Sequence, residues 1–103
     1  MAVARLETSR APHVVGESVL LAYAAEDFIG ELTRQAPWYR ARYEALLEHL
    51  EAYLSDLAGR SALLEDLTPE RAQAWLSTVE AERALAQQAL AAFTAYLQDW
   101  GWR

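Results

Sequence analysis

The sequence predicts a small all-α protein, a bundle of four helices joined by short connections. Apolar residues recur at spacings of three and four through most of the chain from residue 17 onward. No segment shows the strict alternation of apolar and polar residues that is typical of a half-buried strand, and no Asn-Gly hairpin turn occurs. With 103 residues, 53% of them hydrophobic, the chain suits one domain around one core.

The first fifteen residues differ from the rest of the chain, because no regular period runs through them. Pro12 and Gly16 interrupt this stretch. We therefore expect residues 1–15 to form a partly ordered N-terminal arm and residues 16–103 to form a single helical domain.

The first helix is predicted to begin at about Glu17 and to end before Pro37, because the residue before a proline avoids the α region. Gly30 interrupts this helical pattern, and we expect it to permit a close crossing with another helix. The apolar stripe of the helix consists of Leu21, Ala24, Ala25, Phe28 and Leu32.

The second helix is predicted to open with Pro37 in its first turn and to end at Gly59, a residue suited to a left-handed cap. Arg40 and Glu44 stand four residues apart and are expected to form an ion pair. The predicted inward stripe comprises Tyr43, Leu46, Leu47, Leu50, Tyr53, Leu54 and Leu57.

The third and fourth helices are separated by a predicted break near residues 77–80, where three consecutive poor helix formers occur. Thr68 is the expected N-cap of the third helix, with Pro69 at its first position. Ser77 and Glu80 match a capping box for the fourth helix. That helix is predicted to bury Leu85, Ala86, Ala89, Leu90, Phe93, Leu97 and Trp100 and to end at Gly101.

The chain carries a formal net charge of −6, and all nine of its basic residues are arginine. An acidic protein repels phosphate at long range, which disfavours nonspecific nucleic-acid binding but is still compatible with a local basic patch. The absence of cysteine excludes disulfides and suits a reducing compartment. Because the sequence shows neither a membrane span nor the apolar core of a signal peptide, we expect a cytoplasmic location.

No catalytic, cofactor or metal site is recognisable in the sequence. His13 and His49 lie far apart, and His49 lacks an acidic residue at the spacing of bundle di-metal sites. Phosphate-binding and dinucleotide-binding patterns are absent, and no serine lies beside a convincing base. Adjacent acidic pairs such as Glu65–Asp66 are expected to be solvated. We therefore expect a protein that is not an enzyme and that takes no cofactor, metal, membrane or small-molecule substrate.

Each of the four tryptophans either packs in the core or lies on a surface that contacts a partner. Trp75 and Trp100 lie on apolar stripes and are predicted to be buried. Trp38, near the start of the second helix, either caps the core or is exposed. Trp102 either folds back onto the bundle or meets a partner. Trp38 and Trp102 are therefore the candidate residues for binding a protein partner.

A set of core positions matches a known family of domains. The positions are Tyr43, Leu47, Tyr53 and Leu54 in the second helix, Leu67 and Thr68 before the third, and Leu90, Phe93, Tyr96 and Leu97 in the fourth. In this order, the chain from about Val19 to Arg103 resembles the N-terminal core-binding domain of phage-integrase-type tyrosine recombinases. The resemblance implies a small four-helix orthogonal bundle of the SAM-like core-binding-domain type, whose second and fourth helices face duplex DNA.

The sequence also departs from the family pattern. Glu44 and Ala45 replace the basic pair that often follows the tyrosine of the second helix, and the last helix has small residues where the family often has basic ones. We find no counterpart of the catalytic domain in the 103 residues. The resemblance therefore implies a stand-alone, non-catalytic relative that binds duplex DNA or a DNA-bound protein.

The candidate DNA-binding residues are Arg34, Arg40, Arg42, Arg83 and Gln87. The first three flank Pro37, where the positive end of a helix favours phosphate. Arg83 begins the last helix. Gln87 lies one turn later, and a glutamine amide can recognise adenine by hydrogen bonds in the major groove. Alternatively, the arginines pair with the abundant acids, and the chain is an acidic helical interaction module, as a homodimer or a hetero-complex, without DNA binding.

Overall fold

The computed structural model describes residues 19–102, and within this range the chain forms four α-helices and no β-strand. Helix α1 spans Leu21–Gln35, α2 spans Arg40–Ala58, α3 spans Pro69–Thr78 and α4 spans Arg83–Asp99. Short 3₁₀ turns lie between them at Pro37–Tyr39, Leu64–Asp66 and Glu80–Glu82. The predicted helical bundle is thus confirmed for these residues, whereas the predicted arm over residues 1–15 lies outside the described residues.

All four helices contribute to one hydrophobic core. The buried residues are Leu21, Ala24, Phe28 and Ile29 from α1, Tyr43, Leu46, Leu47, Leu50 and Leu54 from α2, Trp75 and Leu76 from α3, and Ala86, Ala89, Phe93, Tyr96 and Leu97 from α4. The ring of Phe28 contacts both Phe93 and Tyr96, with centroids 5.5 and 5.3 Å away. Since each fully buried large apolar side chain contributes about 1.5–3 kcal/mol, these aromatic contacts bind α1 firmly to α4.

Two residues that the stripes predicted to be buried are exposed, namely Leu57 and Trp100. Both lie at the end of a helix, where the apolar stripe extends beyond the neighbouring helices that cover the rest of it. At α4 the core position is taken instead by Trp102, which is only 8% exposed, whereas Trp100 is 45% exposed. The prediction of a buried Trp100 is therefore wrong.

The backbone at the end of α4 explains this exchange. Gly101 has a φ of 77°, and its N–H donates to the carbonyl of Gln98 at 3.3 Å. The N–H of Trp102 donates to the carbonyl of Leu97 at 2.8 Å, which completes a Schellman motif. The left-handed turn reverses the chain so that Trp102 joins the core, where its ring lies edge-on to Tyr23.

The start and end of α2 agree with the sequence only in part. Gly59 has a φ of 72° and caps the helix as predicted. Pro37, however, opens a 3₁₀ turn, and α2 itself begins at Arg40. Gly30, in α1, lies exposed, and no neighbouring atom lies within 4 Å of the position that a Cβ would occupy. The expected close helix crossing at Gly30 is therefore wrong.

The break between α3 and α4 is confirmed, since α3 ends at Thr78 and α4 begins at Arg83. Thr68 is the N-cap of α3, as predicted, and its hydroxyl accepts a hydrogen bond from the backbone N–H of Arg71 at 3.2 Å. The capping box at Ser77 does not form. The Ser77 hydroxyl instead donates to the carbonyl of Gln73, because the intervening 3₁₀ turn delays the start of α4.

Candidate interaction surfaces

The predicted DNA-binding residues lie on separate faces of the bundle. Arg34 and Arg40 line an open groove between α1 and α2, called the α1–α2 groove below. Arg42 lines a different depression, together with Glu82 from the turn before α4. Gln87 lines a third surface, between α3 and α4. These residues therefore do not form one continuous basic surface.

The charges around these arginines also differ. Arg34 forms an ion pair with Glu31, and Arg40 pairs with Glu44 at 3.5 Å, as predicted. Exposed ion pairs of this kind contribute only about 0–1 kcal/mol to stability, but they neutralise the arginine locally. Arg42 and Arg83 are exposed, and neither forms an ion pair with another of the described residues. These two arginines keep their charge available at the surface.

The α1–α2 groove is an open, largely apolar recess with a volume of about 720 Å³. Its floor includes Ala25, Ile29 and Leu47. Glutamates dominate its walls, with Glu26 on α1 and Glu44, Glu48 and Glu51 on α2. The groove therefore combines an apolar floor with a negative rim.

The two candidate partner-binding tryptophans have different environments. Trp38 is 73% exposed, and its ring contacts Tyr39, which in turn contacts the buried ring of Tyr43. Burial, together with the proximity of Tyr39, raises the pKa of the Tyr43 hydroxyl, so Tyr43 stays neutral. Trp102 has folded back onto the bundle, one of the two alternatives that the sequence left open. Its indole Nε1 is buried without a hydrogen-bond acceptor among residues 19–102.

An ionic cluster around Asp66 was missed by the sequence reasoning. Asp66 is 8% exposed, and its carboxylate accepts hydrogen bonds from the Arg60 guanidinium at 2.8 Å and from the backbone N–H of Leu63 at 2.8 Å. Arg71 approaches the same carboxylate at 3.7 Å. These hydrogen bonds, that of Arg60 above all, lower the pKa of Asp66. The expectation that the pair Glu65–Asp66 is solvated is therefore wrong for Asp66.

Two further polar contacts join helices across the core. The Nε1 of Trp75 donates to Nδ1 of His49 at 2.9 Å, which links α3 to α2. The hydroxyl of Tyr96 donates to the carboxylate of Asp27, which links α4 to α1. Neither contact has a local sequence signal, because the partners lie 26 and 69 residues apart.

Within residues 19–102, no three histidine or acidic side chains converge in a way that could hold a metal ion. No helix in the same range combines the length and apolar character that crossing a bilayer requires. Comparisons of the chain with protein-family models, with curated proteins and with solved structures found no match.

Proposed function

We propose that this chain is a non-catalytic, cytoplasmic helical module that binds another protein rather than DNA. The observation that carries the proposal is the pairing of Arg34 and Arg40, the two candidate DNA contacts that share a surface, with neighbouring glutamates. Further glutamates, Glu26 and Glu48, line the same groove. A phosphate backbone approaching this surface would meet a negative potential.

The exposure of Trp38 supports a protein partner. Large aromatic side chains are enriched among the residues that dominate binding energy at protein interfaces. Trp38 lies in the turn between α1 and α2, and its contact with Tyr39 connects it to the buried ring of Tyr43. A tryptophan supported in this way loses little conformational freedom when a partner covers it.

The proposal also includes the helix arrangement: the four helices are arranged as in the SAM-like, orthogonal core-binding domain of the recombinases. Of the positions that carry the resemblance, Tyr43, Leu47, Leu54, Phe93 and Leu97 are all buried in the core. This burial supports a module that kept a recombinase-like core. The loss of a continuous basic surface supports a change of partner from DNA to protein.

A second candidate function, the binding of duplex DNA or a DNA-bound protein, is favoured by Arg42 and Arg83. Both are exposed and lack ion pairs among the described residues. Glu82, the chain neighbour of Arg83, lines the same depression as Arg42. If these two arginines bind DNA, they supply only two phosphate contacts, and the salt dependence of the binding will be shallow.

Fluorescence anisotropy with labelled duplex DNA at two salt concentrations separates the two functions. We expect no binding near physiological salt. Salt-dependent binding that is weakened by the double variant Arg42→Ala/Arg83→Ala, with a salt slope shallower by about one unit per lost contact, would establish the second candidate instead. The matched control is Arg34→Ala/Arg40→Ala, which removes the same charge at two arginines that are already paired with glutamates.

The protein partner is tested directly by placing a photo-crosslinking residue at position 38 of the full chain in its native host. We expect a discrete protein adduct at this position. The control places the same residue at Ala58, which is exposed at the end of α2 far from the turn. Equal adducts at both positions, or none at position 38, would contradict an interface at Trp38.

A further inference from the structure

We propose that the α1–α2 groove binds a basic amphipathic helix of a partner protein. This proposal names the partner class of the interaction module and therefore rests on the proposed function. It goes further by identifying a surface, a shape and a charge pattern that the partner has to match.

The shape of the groove suits a short helix. Its lining runs along α1 from Ala22 to Arg34, which corresponds to about 18 Å at 1.5 Å per residue. This length accommodates roughly three turns of a docked helix. Ile29 and Leu47 belong to the core and also line the groove, so an apolar stripe on the partner would contact side chains held firmly by the bundle.

Gly30 is unfavourable for the helix and unnecessary for the packing of the bundle. A glycine inside an α-helix is about 1 kcal/mol less favourable than alanine. No atom lies within 4 Å of the position that a Cβ at Gly30 would occupy, so internal packing does not require a glycine there. Because Gly30 lines the groove, the missing side chain leaves room for an incoming helix.

The rim selects the charge of the partner. Glu44, Glu48 and Glu51 follow one another at spacings of four and three along the α2 wall, so they share one face. Glu26 stands on the α1 wall. Glu48 and Glu26 form no ion pair with any of residues 19–102, so both can pair with cations of a partner. A helix with Lys or Arg on both sides of an apolar stripe is complementary to this pattern.

The test uses a synthetic, dye-labelled peptide of about 15 residues, enough for four helical turns. It carries a Leu/Ala stripe flanked by Lys and Arg, and a matched peptide carries Glu in place of every basic residue. Titration of the full-length chain is followed by fluorescence anisotropy at low and high salt. We expect the basic peptide to bind with salt-sensitive affinity and the acidic peptide not to bind.

Variants at Gly30 locate the binding site. Gly30→Leu is expected to project into the groove and to weaken peptide binding more than tenfold, while the unfolding transition is retained because Gly30 is exposed and no atom lies within 4 Å of the position of its Cβ. Gly30→Ala is the matched control and should leave binding within about twofold. The double variant Glu26→Gln/Glu48→Gln should weaken binding by roughly tenfold, consistent with the loss of two exposed ion pairs.

Several outcomes would contradict the proposal that a basic partner helix binds in the α1–α2 groove. Peptide binding that is insensitive to Gly30→Leu and to the double glutamine variant would exclude this surface and still leave a protein-binding module. Association of the chain with itself that Gly30→Leu abolishes would make a second copy the occupant. Binding that appears only after Arg5→Glu/Arg10→Glu would make the N-terminal segment of this chain the occupant. Failure of the proposed function itself would appear separately, as arginine-dependent DNA binding.

Discussion

The indole of Trp75 donates a hydrogen bond from Nε1 to Nδ1 of His49 across 2.9 Å. Trp75 is completely buried, whereas His49 is exposed on α2, so the bond satisfies a core polar group from the surface. Nδ1 accepts a hydrogen bond only while it carries no proton, which places the imidazole proton on Nε2. The hydrogen bond therefore gives His49 a structural role, and neither a metal site nor a catalytic function is needed to explain this residue.

The first prediction compares two variants at His49. His49→Leu should lower the free energy of unfolding by about 1–3 kcal/mol, because the buried indole N–H loses its acceptor. His49→Asn should retain most of the stability, since its amide oxygen lies close to the position of Nδ1. Urea unfolding of both variants measures the difference, and equal stabilities would show that the bond contributes nothing.

The second prediction concerns the charge of Asp66, which holds Arg60 and the backbone of Leu63. Asp66→Asn keeps an acceptor oxygen but removes the charge, so the free energy of unfolding at pH 7 should fall by about 1–3 kcal/mol. Asp56→Asn, an exposed position on α2, is the control and should be nearly neutral. A loss as small as that of the control would contradict the importance of the cluster.

The third prediction is the pH dependence of the same contribution. The pKa of Asp66 is lowered in the folded chain, so its stabilising effect is complete above the unfolded-state pKa of about 3.9 and is lost as the pH falls through the folded value. The stability gap between the natural chain and Asp66→Asn should be constant from about pH 5 to 7 and should narrow below about pH 4. Chemical unfolding at a series of pH values measures this gap, and a gap that widens in acid would contradict the assigned direction.

Local signals predicted most of the helical architecture. The cap at Thr68, the left-handed Gly59 and the break after Thr78 each depend on residues within a few positions of one another, and all three are confirmed. The ends of the stripes were less predictable. The burial of Trp102 in place of Trp100 depends on the direction in which the chain leaves α4. The spacing of apolar residues within a helix carries no information about that direction.

The candidate site was harder to predict than the fold. Residues two apart on a helix point to different faces, so the separation of Arg40 from Arg42 was already implicit in the sequence. That Glu82 lines the same depression as Arg42 was not implicit, because it depends on how the turn before α4 packs against α2. The Asp66 cluster likewise joins the end of α2 to the start of α3, and no local pattern identifies it.

The fourth prediction sets two glycine-to-alanine substitutions against each other. Gly101→Ala should lower stability by about 1–2 kcal/mol, because a φ of 77° is unfavourable for any residue with a Cβ. Gly30→Ala should raise stability by up to about 1 kcal/mol, since alanine favours the helix and meets no neighbour. Thermal unfolding followed by circular dichroism should give shifts of opposite sign. Shifts of the same sign would contradict the backbone assignment at one of the two positions.

The fifth prediction tests the environments of the four tryptophans by fluorescence. Trp38 and Trp100 are exposed, whereas Trp75 and Trp102 are buried. Replacing either exposed residue with phenylalanine should reduce quenching by acrylamide and shift the emission maximum to shorter wavelength, because the remaining indoles are on average drier. Replacing either buried residue should do the opposite. Acrylamide is the appropriate quencher, since iodide would be repelled by the net charge of −6. The decisive comparison is Trp100→Phe with Trp102→Phe, because a buried Trp100 and an exposed Trp102 would reverse both shifts and contradict the left-handed turn at Gly101.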